Sequence, residues 1–387
     1  MKIIYFTTAL EKEDYDSFVG LWKTSLNTSI QNLHNRLIRS LALTHEVEVI
    51  STRPFSKKLC TVKSLDAYTK LEGKITWHYL KIKNNKVMRY ISTRKQAKKL
   101  LAEMNLKDCI ILTDTLNPYL LSKSTALAKK YNLPIIGVCN NTPSGIHDTD
   151  RTYTKNLLNA AKDLSGYITL TSGLNELYNE GNRANLIIEG VLENKFKTDF
   201  SNDFGKYIYY DGRLDAKSGI YELIKAFNLL NDSELQLVFS GYHGNDARIK
   251  KVIEGNDKIH YLGFISLDEV MFRENSAFIN ICPRPYSEDY DRYLIPDNII
   301  DYLAAPVLTI SVKNNRLNKY FQDDVIWVNS NEPNELMEAI DKGLKMSKEE
   351  RNEYIKKANL DANKLYAMNV INKKVILFLR QFLRQKD

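Results

Sequence analysis

Short continuous apolar runs alternate along this chain with longer stretches in which apolar residues recur every three or four positions. Positions 2–6 (KIIYF) read as a buried first strand, followed by a long polar loop and then 29–43 (SIQNLHNRLIRSLAL), whose apolar residues fall at helical spacing. Strand-like runs return at 47–50, 109–112 (CIIL), 134–139 (PIIGVC), 167–170 and 185–189 (NLIIE), with a further helix over 122–130. β-Branched strands set between amphipathic helices predict a parallel sheet covered on both faces.

A second series of the same kind opens at Lys206: strand KYIYY, turn DGRLDAKSG, helix IYELIKAFNLL, strands LQLVFSG, IHYLG and AFINIC, and helix PDNIIDYLAA. Two such series predict an α/β chain of two Rossmann-like domains, with ligand held in a cleft near the carboxyl ends of the parallel strands. The domains are placed at 1–192 and 193–369, with the junction inside 190–204. The remainder, 370–387, is expected to form a basic amphipathic helix that packs back on the first domain.

A chain of 387 residues with 43% hydrophobic content is long enough for two such cores. No run reaches the roughly 20 apolar residues that a membrane span requires, and the start lacks a signal-peptide pattern, so a soluble, cytoplasmic protein is expected. Cys60, Cys109, Cys139 and Cys282 are scattered without a CxxC pair, which predicts buried free thiols and excludes the usual structural zinc modules.

Charge sharpens the picture locally. Positions 51–100 hold 14 Lys/Arg against Asp66 and Glu72, a net of +12 where the whole chain carries +8. The stretch 81–99 contains Lys81, Lys83, Lys86, Arg89, Arg94, Lys95, Lys98 and Lys99 and no acid. As a helix it would set cations, with Val87, Met88, Tyr90 and Ile91, against an anionic membrane surface, on the inner face; a solvated helix face is the competing account. Trp77, Tyr79 and Tyr90 make no nucleic-acid stacking platform, and no nucleic-acid partner is expected.

The turn at 211–219 carries the most chemistry. A glycine-bearing turn leading into a helix presents free backbone N–H groups and the positive end of a dipole to phosphate. Arg213 can grip phosphate oxygens bidentately, and Lys217 adds a second cation, which suits neutralising a nucleoside-diphosphate leaving group. An ordinary strand–helix connection with surface charges would look the same. A dinucleotide fingerprint GxGxxG is lacking after either first strand, which disfavours nicotinamide chemistry. The loop SGYHG, with Gly241, follows a strand and lets backbone approach a ligand or simply turns.

The succession YYDGRLDAKSGIYELIKAF, VFSGYHG, IHYLGFIS and INICPRPYSEDYDRYLIPDNIIDYLAA, preceded by QNLHNRLIRSL, ILTDTLN and IIEGVLEN, resembles family 4 retaining glycosyltransferases of the GT-B fold, closest to the polysaccharide-assembly branch. The resemblance implies that Gly212, Arg213 and Lys217 meet the diphosphate, with Gly241 beside them. It implies that Gly263, Phe264 and Ile265 lie by the nucleobase, that Tyr293 and the helix start Asp297, Asn298 and Ile299 face the donor, and that Asp301 binds ribose hydroxyls. On the acceptor side stand Asp114, Asn140, Asn141 and His147, the last with the residue type to touch an acceptor hydroxyl or donor phosphate. His147, Arg213 and Lys217 are the candidate catalytic residues. The donor would be UDP- or GDP-linked, with no metal or other cofactor required, and the acceptor a lipid-linked glycan or polysaccharide precursor.

Departures from the family pattern accompany these matches. Asp301 stands for a usual Glu, Tyr293 for the Glu eight residues earlier, and Asn298 for a lysine; Lys217 follows Arg213 by four residues, with Ser218 in the commoner place. They motivate a second expectation, a non-catalytic GT-B subunit that stabilises a partner glycosyltransferase. A nucleotide-sugar epimerase of the same fold is a third, disfavoured by the front half of the chain.

Overall fold

The computed structural model describes residues 1–19, 28–54, 62–83, 85–143, 151–193, 199–242 and 246–383. They form two units: Met1–Val191 with Arg292–Ile295 and Met368–Asp387, and Leu192–Asp291 with Pro296–Ala367.

In the first unit, strand β1 (Lys2–Thr7) lies at the centre, with Ile3 to Phe6 fully buried. Helix α1 (Lys12–Val19) and helix α2 (Thr28–Ala42) follow, then β2 (Val47–Ser51), β3 (Ser64–Leu65), β4 (Tyr68–Glu72), β5 (Ile75–Tyr79) and β6 (Ile82–Lys83). Helix α3 (Lys86–Glu103), β7 (Cys109–Asp114), α4 (Pro118–Tyr131), β8 (Ile135–Cys139), α5 (Arg151–Ala161), β9 (Gly166–Thr169), α6 (Ser172–Tyr178) and β10 (Asn185–Ile187) complete the series. The main sheet runs β10-β9-β8-β7-β1-β2-β5-β4, parallel throughout except for β4 against β5. Ile3 pairs with Val47 on one side, and Lys2 pairs with Cys109 on the other, so the order reverses between β1 and β7.

The hairpin β4–β5 is not announced by the charge-dominated stretch that holds it. Its alternation is nonetheless present, since Ile75, Trp77 and Tyr79 point inward and Thr76 and His78 outward. Lys70 on the edge strand, paired with Glu11 and Glu13, discourages further strand addition. The C-terminal helix, Met368–Arg380, packs on α2 within this unit: Ser40 Oγ donates to the Met368 carbonyl, and Asn372 Nδ2 to the Ser40 carbonyl, each at 2.7 Å.

The second unit is an all-parallel sheet of β11 (Tyr207–Arg213), β12 (Gln236–Tyr242), β13 (Ile259–Tyr261), β14 (Ile279–Cys282), β15 (Leu308–Val312) and β16 (Ile326–Val328), in the order β13-β12-β11-β14-β15-β16. Its helices are α7 (Ile220–Leu229), α8 (Asp246–Ile253), α9 (Leu267–Ser276), α10 (Glu288–Asp291), α11 (Asp297–Ala304), α12 (Asn315–Asn318), α13 (Pro333–Lys345) and α14 (Lys348–Tyr366). Because β12 and β13 lie to one side of β11 and β14 to β16 to the other, the crevice of this sheet opens between the carboxyl ends of β11 and β14. Ligands of doubly wound folds bind at such a switch point.

Candidate functional site

In the second unit, three adjacent strands end on glycines of positive φ: Gly212 after β11's core, Gly241 in β12 and Gly263 after β13. Gly212 and Gly241 are register partners, and a Cβ on Gly241 would stand 1.8 Å from the Gly212 carbonyl oxygen. Only glycine lets these backbones run so close. The Gly241 N–H donates to the Gly263 carbonyl at 2.9 Å, tying the three ends into one edge.

Beyond Gly212 the chain turns through Arg213 to Ser218 into α7. The Tyr210 hydroxyl donates to the Arg213 carbonyl at 2.8 Å, and the Ser218 hydroxyl to the Asp215 carbonyl at 2.7 Å. The Lys217 N–H donates to Asp215 Oδ1 at 3.0 Å. Ser218 is buried as the lock of the turn, whereas Lys217 is exposed, so the cation at the shorter spacing is the one left facing outward. The Arg213 side chain is 71% exposed and pairs with Asp215 at 2.7 Å. Gly219 then starts α7 at φ 80 with no side-chain cap, leaving first-turn N–H groups without a capping side chain.

Helix α11 meets the same edge. Asn298 Nδ2 donates to the Asp211 carbonyl at 2.9 Å and to the Tyr302 hydroxyl at 3.3 Å. That hydroxyl accepts from the Asp211 N–H at 2.9 Å and donates to Asp211 Oδ1 at 2.7 Å. Burial first, and then the Asp211 carboxylate, push the Tyr302 phenol well above its ordinary range, which keeps it a donor. The helix begins behind Pro296 without a side-chain cap, so it too offers N–H groups. Ile299 is sealed in the core and contributes backbone alone, while Asp301 is half-buried one turn along. The side chain of Asp297 lies outside the described residues. Phe264 and Ile265, both partly buried, follow Gly263.

Tyr293 lies in the segment Arg292–Ile295 of the first unit, where it is partly buried against that unit's hydrophobic core and the Thr171 hydroxyl donates to the Arg292 carbonyl at 2.9 Å.

At the carboxyl edge of the first unit's sheet, Asp114 is buried at the β1/β7 switch point. It accepts from the Leu116 N–H at 2.8 Å and from Thr8 Oγ1 at 3.3 Å. His34 Nε2 stands 3.7 Å from Asp114 Oδ1, and its Nδ1 is 2.7 Å from the Tyr5 hydroxyl. Asn140 is buried, with no hydrogen-bond partner for Oδ1 among the described residues. Asn141 Oδ1 accepts from the Thr142 N–H at 2.7 Å. His147 lies outside the described residues, as do His243 and Gly244 of the SGYHG loop.

Sequence reasoning missed Asp211, Tyr302, Gly219, Thr8 and His34. The signal for Tyr302 was available: Asn298 and Tyr302 are four apart and share one face of α11. For His34 no local signal exists, because its neighbours come from β1 and β7.

Cys109, Cys139 and Cys282 are free and buried; burial pushes the Cys139 thiol up to about 12. Trp77 and Tyr79 are core residues of β5. On α3, Thr93, Ala97 and Leu101 face inward, and Ile91, Arg94, Lys95, Lys98 and Lys99 are exposed; the side chains of Lys86 to Tyr90 lie outside the described residues. Among the described residues no helix is long and apolar enough to cross a membrane.

Residues 192–361 match the family model of glycosyl transferases group 1. No curated protein matches the chain in sequence. Among solved structures, a sucrose-phosphate synthase from Thermosynechococcus elongatus is 13% identical, with all of both chains covered and a TM-score of 0.71. An E. coli structure described as trehalose-6-phosphate bound with UDP-2-fluoro glucose is 12% identical over 98% of this chain and 99% of that one, with a TM-score of 0.68. HepE of Anabaena, in complex with UDP, is 11% identical over 98% of this chain and 100% of that one, at 0.63. The chain therefore has the α/β, parallel-sheet fold of these GT-B proteins, and its residues 192–361 are similar to group 1 glycosyl transferases.

Proposed function

We propose that this chain is a glycosyltransferase that moves a hexosyl group from a UDP- or GDP-linked sugar, with retention, to a lipid-linked glycan or polysaccharide precursor. One observation carries the donor side: at the switch point of the second unit, the Gly212–Arg213 turn, the start of α7 and the start of α11 gather backbone N–H groups and two outward cations at one sheet edge. Such donors stabilise the negative charge that builds on a departing diphosphate. The match of 192–361 to group 1 glycosyl transferases, and the UDP and UDP-sugar named for two structural neighbours, support that reading.

Gly263, Phe264 and Ile265 are assigned to the nucleobase and Asp301 to the ribose, whose vicinal hydroxyls a carboxylate can accept together. Asp114, Asn140, Asn141 and His147 are assigned to the acceptor. The names of the sucrose-phosphate and trehalose-6-phosphate neighbours make a sugar phosphate the acceptor to test beside the lipid-linked one. Purified protein would be incubated with UDP- and GDP-sugars and both acceptor classes. Acceptor-stimulated release of nucleoside diphosphate is expected; no turnover and no thermal shift with any donor would sink the proposal.

The second reading is a non-catalytic subunit beside a partner glycosyltransferase. It is favoured by Asn298, whose amide is committed to Asp211 where the family carries a lysine, and by Tyr293, which stands where the family carries a glutamate. Single-turnover transfer that is lost in Arg213→Ala would remove it. The exposed cations of α3, with Ile91, fit a peripheral site on the cytoplasmic face of an anionic membrane. Binding to phosphatidylserine vesicles should weaken with salt, and salt-insensitive or absent binding would retire that assignment.

A further inference from the structure

β11 keeps its β14 neighbour only through the pairs Ile208 with Ile279 and Tyr209 with Asn280, whereas its pairing with β12 continues to Arg213. Past Tyr209, the side of β11 that faced β14 would have an unsatisfied N–H and carbonyl at Asp211. Two side chains of α11 take the place of the missing strand: the Tyr302 hydroxyl accepts from the Asp211 N–H, and Asn298 Nδ2 donates to its carbonyl. The same hydroxyl donates to the Asp211 carboxylate, and Asn298 also donates to Tyr302, so three groups of one residue are held by two side chains.

These bonds fasten the uncapped start of α11 to the residue just before Gly212 and Arg213. A Cβ built on Gly212 would lie 3.9 Å from Asn298 Nδ2, so the helix start and the turn are in near contact. Orienting groups within a fraction of an ångström requires such supporting hydrogen bonds.

We propose that Asn298 and Tyr302 are positioning residues that fix the turn of Arg213 relative to the amino end of α11, so that the two halves of the edge grip a diphosphate together. The proposal rests on the nucleoside-diphosphate reading above. A diphosphate reaches both halves and a monophosphate only one, so the signature of the pair is the preference for UDP over UMP.

Tyr302→Phe and Asn298→Ala would be titrated with UDP and UMP by calorimetry, with GDP and GMP in parallel. Each is expected to weaken the diphosphate about tenfold, the scale of a lost buried hydrogen bond, and to leave the monophosphate within about twofold. Tyr207→Phe is the control. It deletes a buried hydroxyl at the opposite end of β11, where Tyr207 donates to the Arg273 carbonyl at 2.8 Å, and should lower thermal stability comparably while preserving the diphosphate preference. The positioning role is overturned if both α11 variants keep the wild-type ratio, or if Tyr207→Phe collapses it equally. A wild-type chain that binds neither UDP nor GDP overturns the nucleotide reading itself, and this inference with it.

Discussion

Replacing Gly219 by alanine sets a backbone cost against a steric one, and Gly205 in the same unit separates the two. Gly205 has φ 63 with nothing within 4 Å of an added Cβ, so Gly205→Ala bears only the left-handed conformation, about 1 kcal/mol. Gly219 has φ 80, and its Cβ would stand 2.1 Å from the Pro283 carbonyl oxygen and 2.7 Å from the carbonyl carbon. Both are backbone atoms at the end of β14, so no rotamer change relieves the contact. Overpacking of this kind costs about 1–3 kcal/mol beyond the backbone term, which brings Gly219→Ala to about 3 kcal/mol. For a unit of this size that corresponds to a melting shift of about 6–12 °C, against about 2–4 °C for Gly205→Ala. Scanning calorimetry and urea midpoints on the two variants give the comparison. UDP titration should also show weaker binding by Gly219→Ala alone, because the start of α7 has to move off Pro283. Equal melting shifts would show that the turn absorbs a side chain freely, and the close approach of Gly219 to β14 would lose its significance.

Three further outcomes follow from the same structure. Arg213→Ala should weaken UDP binding by about 10- to 100-fold, the scale of a lost charge-assisted phosphate contact. Its melting point should stay within about 2 °C of wild type, since a surface pair such as Arg213–Asp215 contributes little; unchanged UDP affinity would remove Arg213 from the site. The hydrogen bond from His78, and then that from Lys2, hold the Glu48 carboxyl below its ordinary value near 4.5. Its stabilisation is therefore present above that value and lost as pH falls through the lowered folded one. Glu48→Gln should flatten the acid limb of urea stability between about pH 5 and 3; a limb as steep as wild type would count against the pair. Cys109, Cys139 and Cys282 should resist an aromatic disulfide reagent at pH 8 and all react in urea, because buried thiols are neither exposed nor ionised. Rapid native labelling of these three would contradict their burial.

Much of the glycine-lined edge of the second unit was legible because its chemistry is local. Gly212, Arg213 and Lys217 fall in one turn between a strand and a helix, and a turn's residue types follow from its own φ and N–H geometry. Ser218 shows the limit: its place in the sequence gives no sign that its hydroxyl would be spent closing the turn on Asp215. Ile299 shows another, since a helix start can face phosphate with its backbone while its side chain is buried beneath. In the first unit, Asp114 was visible at the end of an apolar strand, but Thr8 and His34 were not, because Thr8 lies 106 residues before it and only the β1/β7 pairing brings them together.

By itself the sequence determined two successive series of buried strands and amphipathic helices, the basic stretch before Leu100, and the glycine-bearing turn after β11. Periodicity and turn chemistry act over a few residues, so they survive in the linear pattern. Tertiary structure alone decided that β14 leaves β11 after Tyr209, and that Asn298 and Tyr302 reach back across 87 and 91 residues to satisfy Asp211. The physical reason is that an unpaired main-chain N–H and carbonyl must find partners wherever a strand ends. Which side chains supply them depends on the order of strands in the sheet.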